Sequence, residues 1–182
     1  MDMNLFFDVE TRIKKGNKLF FSQDSVCLQN LIKLLNSQNH RVLVMWALNC
    51  AKLTVKCFES KFPQELRPRV CLELCEQWAC GKIKMAMAKQ AILEAHAVAK
   101  ELDDTQYGSL CHAIAHAGAT VHVGSHALGL PLYELTALVL KHDFKDFQKP
   151  VSAKIDDYIN RLLYWEKHTD QSGMVWARFL NP

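Results

Sequence analysis

The chain has 182 residues, 22 Lys plus Arg against 19 Asp plus Glu, and a formal net charge of +3. Its 7 Gly and 5 Pro are about half the usual share in soluble proteins, which excludes collagen-like, linker-rich and mainly disordered chains. A hydrophobic fraction of 49% with 23% charged residues describes an ordinary globule with a real core, and the charge balance is too mild to point to nucleic acid.

At the N-terminus the apolar run Leu5-Phe6-Phe7 is too short for a secretory signal and is flanked by Asp2 and Asp8. No stretch approaches the roughly 18 uninterrupted apolar residues of a membrane span, so no membrane partner is expected. Seven Cys, an odd number without an export signal, read as reduced thiols of a cytoplasmic protein. The short runs 5–9 and 18–21 are the strand candidates; everything after them reads as helix.

A first helix is predicted from a cap at Asp24 or Ser25 to about Ser37. A second runs from His40 to Phe62 and stops before Pro63. Its Trp46, Cys50, Leu53 and Cys57 recur at helical spacing and are expected inside, opposite Asn49, Lys52, Lys56 and Glu59. The third opens on Pro68, carries Cys71, Leu74, Cys75 and Trp78 on one stripe, and ends at Gly81. Arg67 and Arg69, at its start, are expected to pair with Glu65, Glu73 or another helix, the sharper alternative being an anion at the helix N-terminus. The fourth helix, about Lys84 to Leu102, places Met85, Ala88, Ile92, Ala95, His96 and Ala99 on its buried stripe.

The fifth helix is predicted over about Ser109 to Leu128, with Gly118 and Gly124 inside it for close packing or for a ligand approaching the backbone. A sixth, Pro131 to His142, follows, then a linker from Asp143 to Pro150. The seventh, about Val151 to Lys167, turns Ile155, Ile159, Leu162 and Leu163 inward. Val175, Trp176, Phe179 and Leu180 are expected to pin the tail. The fold class is therefore a single all-α domain, a compact bundle of about seven helices. Residues 1–38 form a short irregular extension, 40–142 the core, and 150–182 a C-terminal helix and tail.

The fifth helix carries the chemistry. On a continuous helix His112, His116, His122 and His126 share a sector of about 120 degrees. His112/His116 and His122/His126 have the i, i+4 spacing by which two imidazoles bind one metal. The rise from His112 to His126 would be about 21 Å, so one ion could not take all four. His96, on the neighbouring helix, is the natural third ligand. His96, His122 and His126 are thus a candidate set for one divalent, zinc-like transition metal with an open position, suited to hydrolysis. Against this, no Asp or Glu is interleaved on that face to orient the ligands. The residues favour a polar network in which the imidazoles bond to carbonyls, Thr120, Tyr133 or each other. A His general base is a third reading.

The Cys residues lack the Cys-x-x-Cys spacing of a zinc site, and Cys50, Cys57, Cys71 and Cys75 are expected as small core hydrophobes. Phosphate loops, Gly-x-Ser-x-Gly and paired catalytic carboxylates are absent, so nothing in the sequence assigns a reaction.

Several motifs together resemble a known family. They are His40-Arg41, the run Trp46 to Ala51, Arg67-Pro68-Arg69, the run Trp78 to Met85, and Ala95-His96-Ala97. The strongest is Ala115 to Tyr133, with His116, Thr120, His122, Val123, His126, Ala127, Gly129 and Tyr133. Over residues 40–142 the chain is similar to a helical family of immunity proteins associated with bacterial toxin systems. The resemblance implies an all-helical fold, a bacterial cytoplasmic setting and a non-enzymatic protein that binds a toxin. It implies a shared binding site at His96, His116, Thr120, His122, His126 and Tyr133. His112 falls outside the pattern, where Arg or another residue is expected.

Overall fold

The computed structural model describes residues 4–181, and among them the ordered elements are helices, with no strand. Eight α-helices follow in order: α1 Phe7–Lys14, α2 Gln29–Asn36, α3 His40–Glu59, α4 Arg67–Ala79, α5 Met85–Glu101, α6 Thr105–Ala119, α7 Gly129–Lys141 and α8 Gln148–His168. Short 3₁₀ turns precede α2 and α7 and close the tail. No described helix is long and apolar enough to cross a membrane.

The boundaries have local causes. Asn39 caps α3, its side chain accepting from the Val42 amide at 3.1 Å, and Asp104 caps α6 by accepting from the Tyr107 amide at 3.1 Å. Pro68 sits in the first turn of α4, where its missing N–H costs nothing. The extension carries one more helix than expected: residues 5–9 are not a strand, because Phe6, Val9 and Ile13 face the core at helical spacing. Residues 18–21 are also not a strand. They are irregular, with Phe20 and Phe21 buried and the Phe20 amide donating to Thr136 Oγ1 at 3.2 Å.

α6 is the central helix, flanked by α3, α4, α5 and α7. Its small residues allow this. Ala113, Ala115 and Ala117 are fully buried, and a Cβ on Gly118 would lie 2.7 Å from Cys75 Sγ and 3.4 Å from Cys71 Sγ. Gly118 is therefore the close-packing glycine expected, seating α6 on α4. Cys50, Cys71 and Cys75 are core residues, but Cys57 is exposed and so is Leu53. Their stripe is covered near Trp46, where α8 lies against α3, and emerges from the core beyond it. Likewise Met85, Leu163, Val175 and Phe179, expected inside, are exposed. The tail is held by Leu180 and Trp176, as expected, together with buried Ala177, by the Ala177 amide donating to the Ala79 carbonyl at 2.7 Å, and by Arg41 Nε donating to the Leu180 carbonyl at 2.8 Å.

Arg67 and Arg69 take the plain role expected of them. Arg67 bonds Glu65 and Glu101, and Arg69 bonds Glu59 with Glu73 nearby. No charge is left over at the start of α4 for an anion.

Trp46 is fully buried, packs edge-on against Tyr158 at 5.7 Å, and donates Nε1–H to the Tyr158 carbonyl at 2.9 Å. Trp46→Phe keeps an aromatic ring and removes the donor. It is expected to destabilise by about 1–3 kcal/mol, read from urea unfolding midpoints. An unchanged midpoint would show that the indole donor is immaterial.

Candidate functional site

The predicted fifth helix is not continuous. α6 ends at Ala119, Val123 is extended (φ −140, ψ 123), and Gly124–Leu128 returns as a 3₁₀ turn into α7. Two contacts with the start of α3 hold the break. His40 Nε2–H donates to the Thr120 carbonyl at 2.6 Å, satisfying an acceptor at the end of α6. Gly124 passes so close to α3 that an added Cβ would lie 2.9 Å from Leu43 Cδ1. The shared helical face of His122 and His126 with His112 and His116 is therefore overturned, and so is the long rise between them. The turn folds His126 back to 5.7 Å from the His116 ring.

What forms is a closed cycle of four rings. His96 of α5 lies 5.0 Å from His112, and His112 lies 4.9 Å from Tyr133 of α7. Tyr133 stacks on His116 at 5.2 Å with 20° between planes, and His116 meets His96 edge-on at 5.5 Å. His112 and His116 come together as i, i+4 neighbours on α6. Tyr133 can stack there because α7 begins with Gly129, whose absent Cβ would stand 2.3 Å from His116 Cγ. His126 extends the cycle from His116. His122 stands outside it, exposed and stacked on Trp78 at 6.1 Å. Thr120 is fully buried, and its hydroxyl donates to the His116 carbonyl at 3.0 Å.

The cycle is electrostatically neutral at physiological pH. His96 Nδ1 and His112 Nδ1 are 2.7 Å apart, so one carries a proton and the other accepts it. Burial pulls the His96 pKa down to about 4, helped by the neighbouring charges of His112, Lys100 and His126. Burial likewise takes His116 to about 4, with His96, His126 and His112 adding to the effect. His112 is lowered too, by burial and then by Lys100. His116 Nδ1 is buried without a hydrogen-bond partner among the described residues.

His96, His116, His122 and His126 all line one cleft of about 390 Å³, with Trp78, Met85, Lys89, Ile92, Leu93 and Ala119. The candidate metal set His96, His122 and His126 thus reaches one cavity. Among the described residues, however, no three His, Cys, Asp or Glu side chains are placed to hold a metal ion together. No carboxylate lines the cleft to act as a base or to orient a ligand. Its apolar wall (Trp78, Met85, Ile92 and Leu93) belongs to the site although the search for histidines passed it over. Trp78, Met85 and Ile92 are legible as helical stripe residues, the last two on the same face as His96; Leu93 is not, because only its exposure marks it. His112, which the family resemblance set aside, is a full member of the ring cycle.

The fold is thus an all-helical bundle with a cleft walled by imidazoles and apolar side chains. The chain belongs to the family described as Imm-5 like putative immunity protein, which matches residues 33–161. No curated protein and no solved structure matches it. The family segment runs from α2 into α8, so it takes in the whole ring cycle and leaves α1 and residues 16–20 outside.

Proposed function

We propose that this chain acts as an immunity protein by binding a toxin protein, without catalysis of its own, and that the histidine-lined cleft is its contact face. One observation carries the choice of face. Three large apolar side chains gather around this cleft while exposed: Met85 (46%), Leu93 (54%) and Phe179 (52%), the last packed on Trp78 at 5.3 Å. Solvated apolar side chains around a concave wall are what a protein partner desolvates. His96 and His116, kept neutral by burial, suit such a contact, since each can donate or accept without the cost of burying a charge. A cytoplasmic setting fits the seven free cysteines.

The test uses the proteins encoded by the genes adjacent to this one, each screened for toxicity on expression. The full chain is expected to bind the toxic one in calorimetry and to protect cells that express it. Met85→Glu with Leu93→Glu places two charges on exposed positions, so the melting temperature should hold. Affinity should drop at least about tenfold and protection should be lost. No binding by the wild type, or unchanged binding by the double variant, would overturn the proposal.

A further inference from the structure

The ring cycle is a partition with two sides. His96 and His116 reach the cleft just described, whereas His112 and Tyr133 reach a second one of about 750 Å³. Residues 16–20 form one wall of that second cleft and α5, α6 and α7 supply the others. Because residues 16–20 precede the family segment, this cavity is completed by a part of the chain the family does not share.

We infer that the second cleft binds a small organic anion, an apolar body carrying one acidic group. The sign comes from its lining. Lys18 and Lys100 border it, and no Asp or Glu does. Like most lysines of the chain, Lys18 and Lys100 have no carboxylate partner among the described residues; what sets these two apart is that both border this acid-free cleft. The charge of Lys100 is felt at the ring wall, where it helps keep His112 neutral. Further donors are at hand: the Tyr133 hydroxyl, and Nε2–H of His112 in the tautomer whose Nδ1 accepts from His96. Leu19, Phe20 and Leu140 give the apolar wall, and the volume falls within the range of small-molecule pockets. A cation without a counter-charge in a partly enclosed cleft favours an anion more than it would in open water. The inference is independent of toxin binding, which uses the opposite side of the partition.

The probe is 2-naphthoate, titrated into the isotope-labelled full chain at neutral pH and followed by histidine-ring and backbone resonances. Shifts are expected at His112, Tyr133 and residues 16–20. The neutral 2-naphthamide should bind about tenfold more weakly, and Lys18→Gln with Lys100→Gln should raise the Kd by about tenfold or more. Both lysines are exposed, so the melting temperature of the variant should match wild type. Equal binding of the acid and the amide would overturn the inference, as would unchanged binding by the double variant. Shifts confined to Trp78 and Leu93 would place the probe in the other cleft and also overturn it.

Discussion

Gly129→Ala is expected to destabilise the protein by about 1–3 kcal/mol, although alanine normally gains about 0.5–1 kcal/mol over glycine inside a helix. The reason is a single contact. The new methyl would stand 2.3 Å from His116 Cγ, 2.4 Å from Nδ1 and 2.7 Å from Cβ. A ring attached at that short distance to α6 cannot swing clear while its Cβ is also in the way. To admit the methyl, α7 must lift from α6 or His116 must leave its stack on Tyr133. His116→Ala removes the obstacle, so the double variant Gly129→Ala/His116→Ala should be less destabilised than the two single effects added. Urea unfolding of the four proteins measures that coupling. A neutral or stabilising Gly129→Ala would show that the ring does not sit against the start of α7.

Acid should begin to destabilise this protein above the range in which carboxylates titrate. An unfolded imidazole has the ordinary value of 6.5, while His96 and His116 are held at about 4 in the fold. Between those values the unfolded chain binds more protons than the native one, so stability rises with pH there. It is fully present above about 6.5 and is lost as pH falls toward 4; His112 acts in the same direction. Each imidazole contributes at most about 1.4 kcal/mol per pH unit, and partial exposure makes the real figure smaller. The surface ion pairs enter only at the acid end: Glu59, Glu65, Glu101 and Asp104 are held below their ordinary values, so their contribution begins to fall as pH approaches the ordinary carboxylate value of 4.5, where the unfolded chain takes up protons. Unfolding midpoints from about pH 7.5 to 5.5 should therefore slope for the wild type and flatten for His96→Gln/His116→Gln. A flat wild-type profile, or an equal slope in the variant, would refute the burial of neutral rings.

The two predictions rest on different grades of legibility. Most helix boundaries can be read from the chain, because they depend on local chemistry. Pro68 opens α4, Gly81 follows its end, and Pro63 stands beyond α3. The Cys and Ala stripes of α4 and α5 are legible for the same reason: 3.6-residue spacing is local. Failures occur where a remote group intervenes. Residues 5–9 alternate like a strand, yet Phe6 and Val9 are gathered onto the core by a helix. Leu53 and Cys57 continue a buried stripe on paper, but both are exposed in the fold.

The histidines show the limit best. That they form a group, that His96 joins it, and that Thr120 and Tyr133 lie nearby in the chain could be read from spacing and family resemblance. Spacing alone also demanded a straight helix through His126. What broke it was His40, some 80 residues away in sequence, bonding the Thr120 carbonyl, with Gly124 slipping past Leu43.

The sequence by itself thus determined the helical class, the family and which residue types gather near α6, since periodicity, caps and motifs are properties of neighbouring residues. Only the tertiary structure decided that four rings close into a neutral partition between two clefts. That outcome depends on the packing of α5, α6 and α7, on the missing Cβ of Gly129 and on the burial that keeps the imidazoles uncharged. No local pattern encodes any of these.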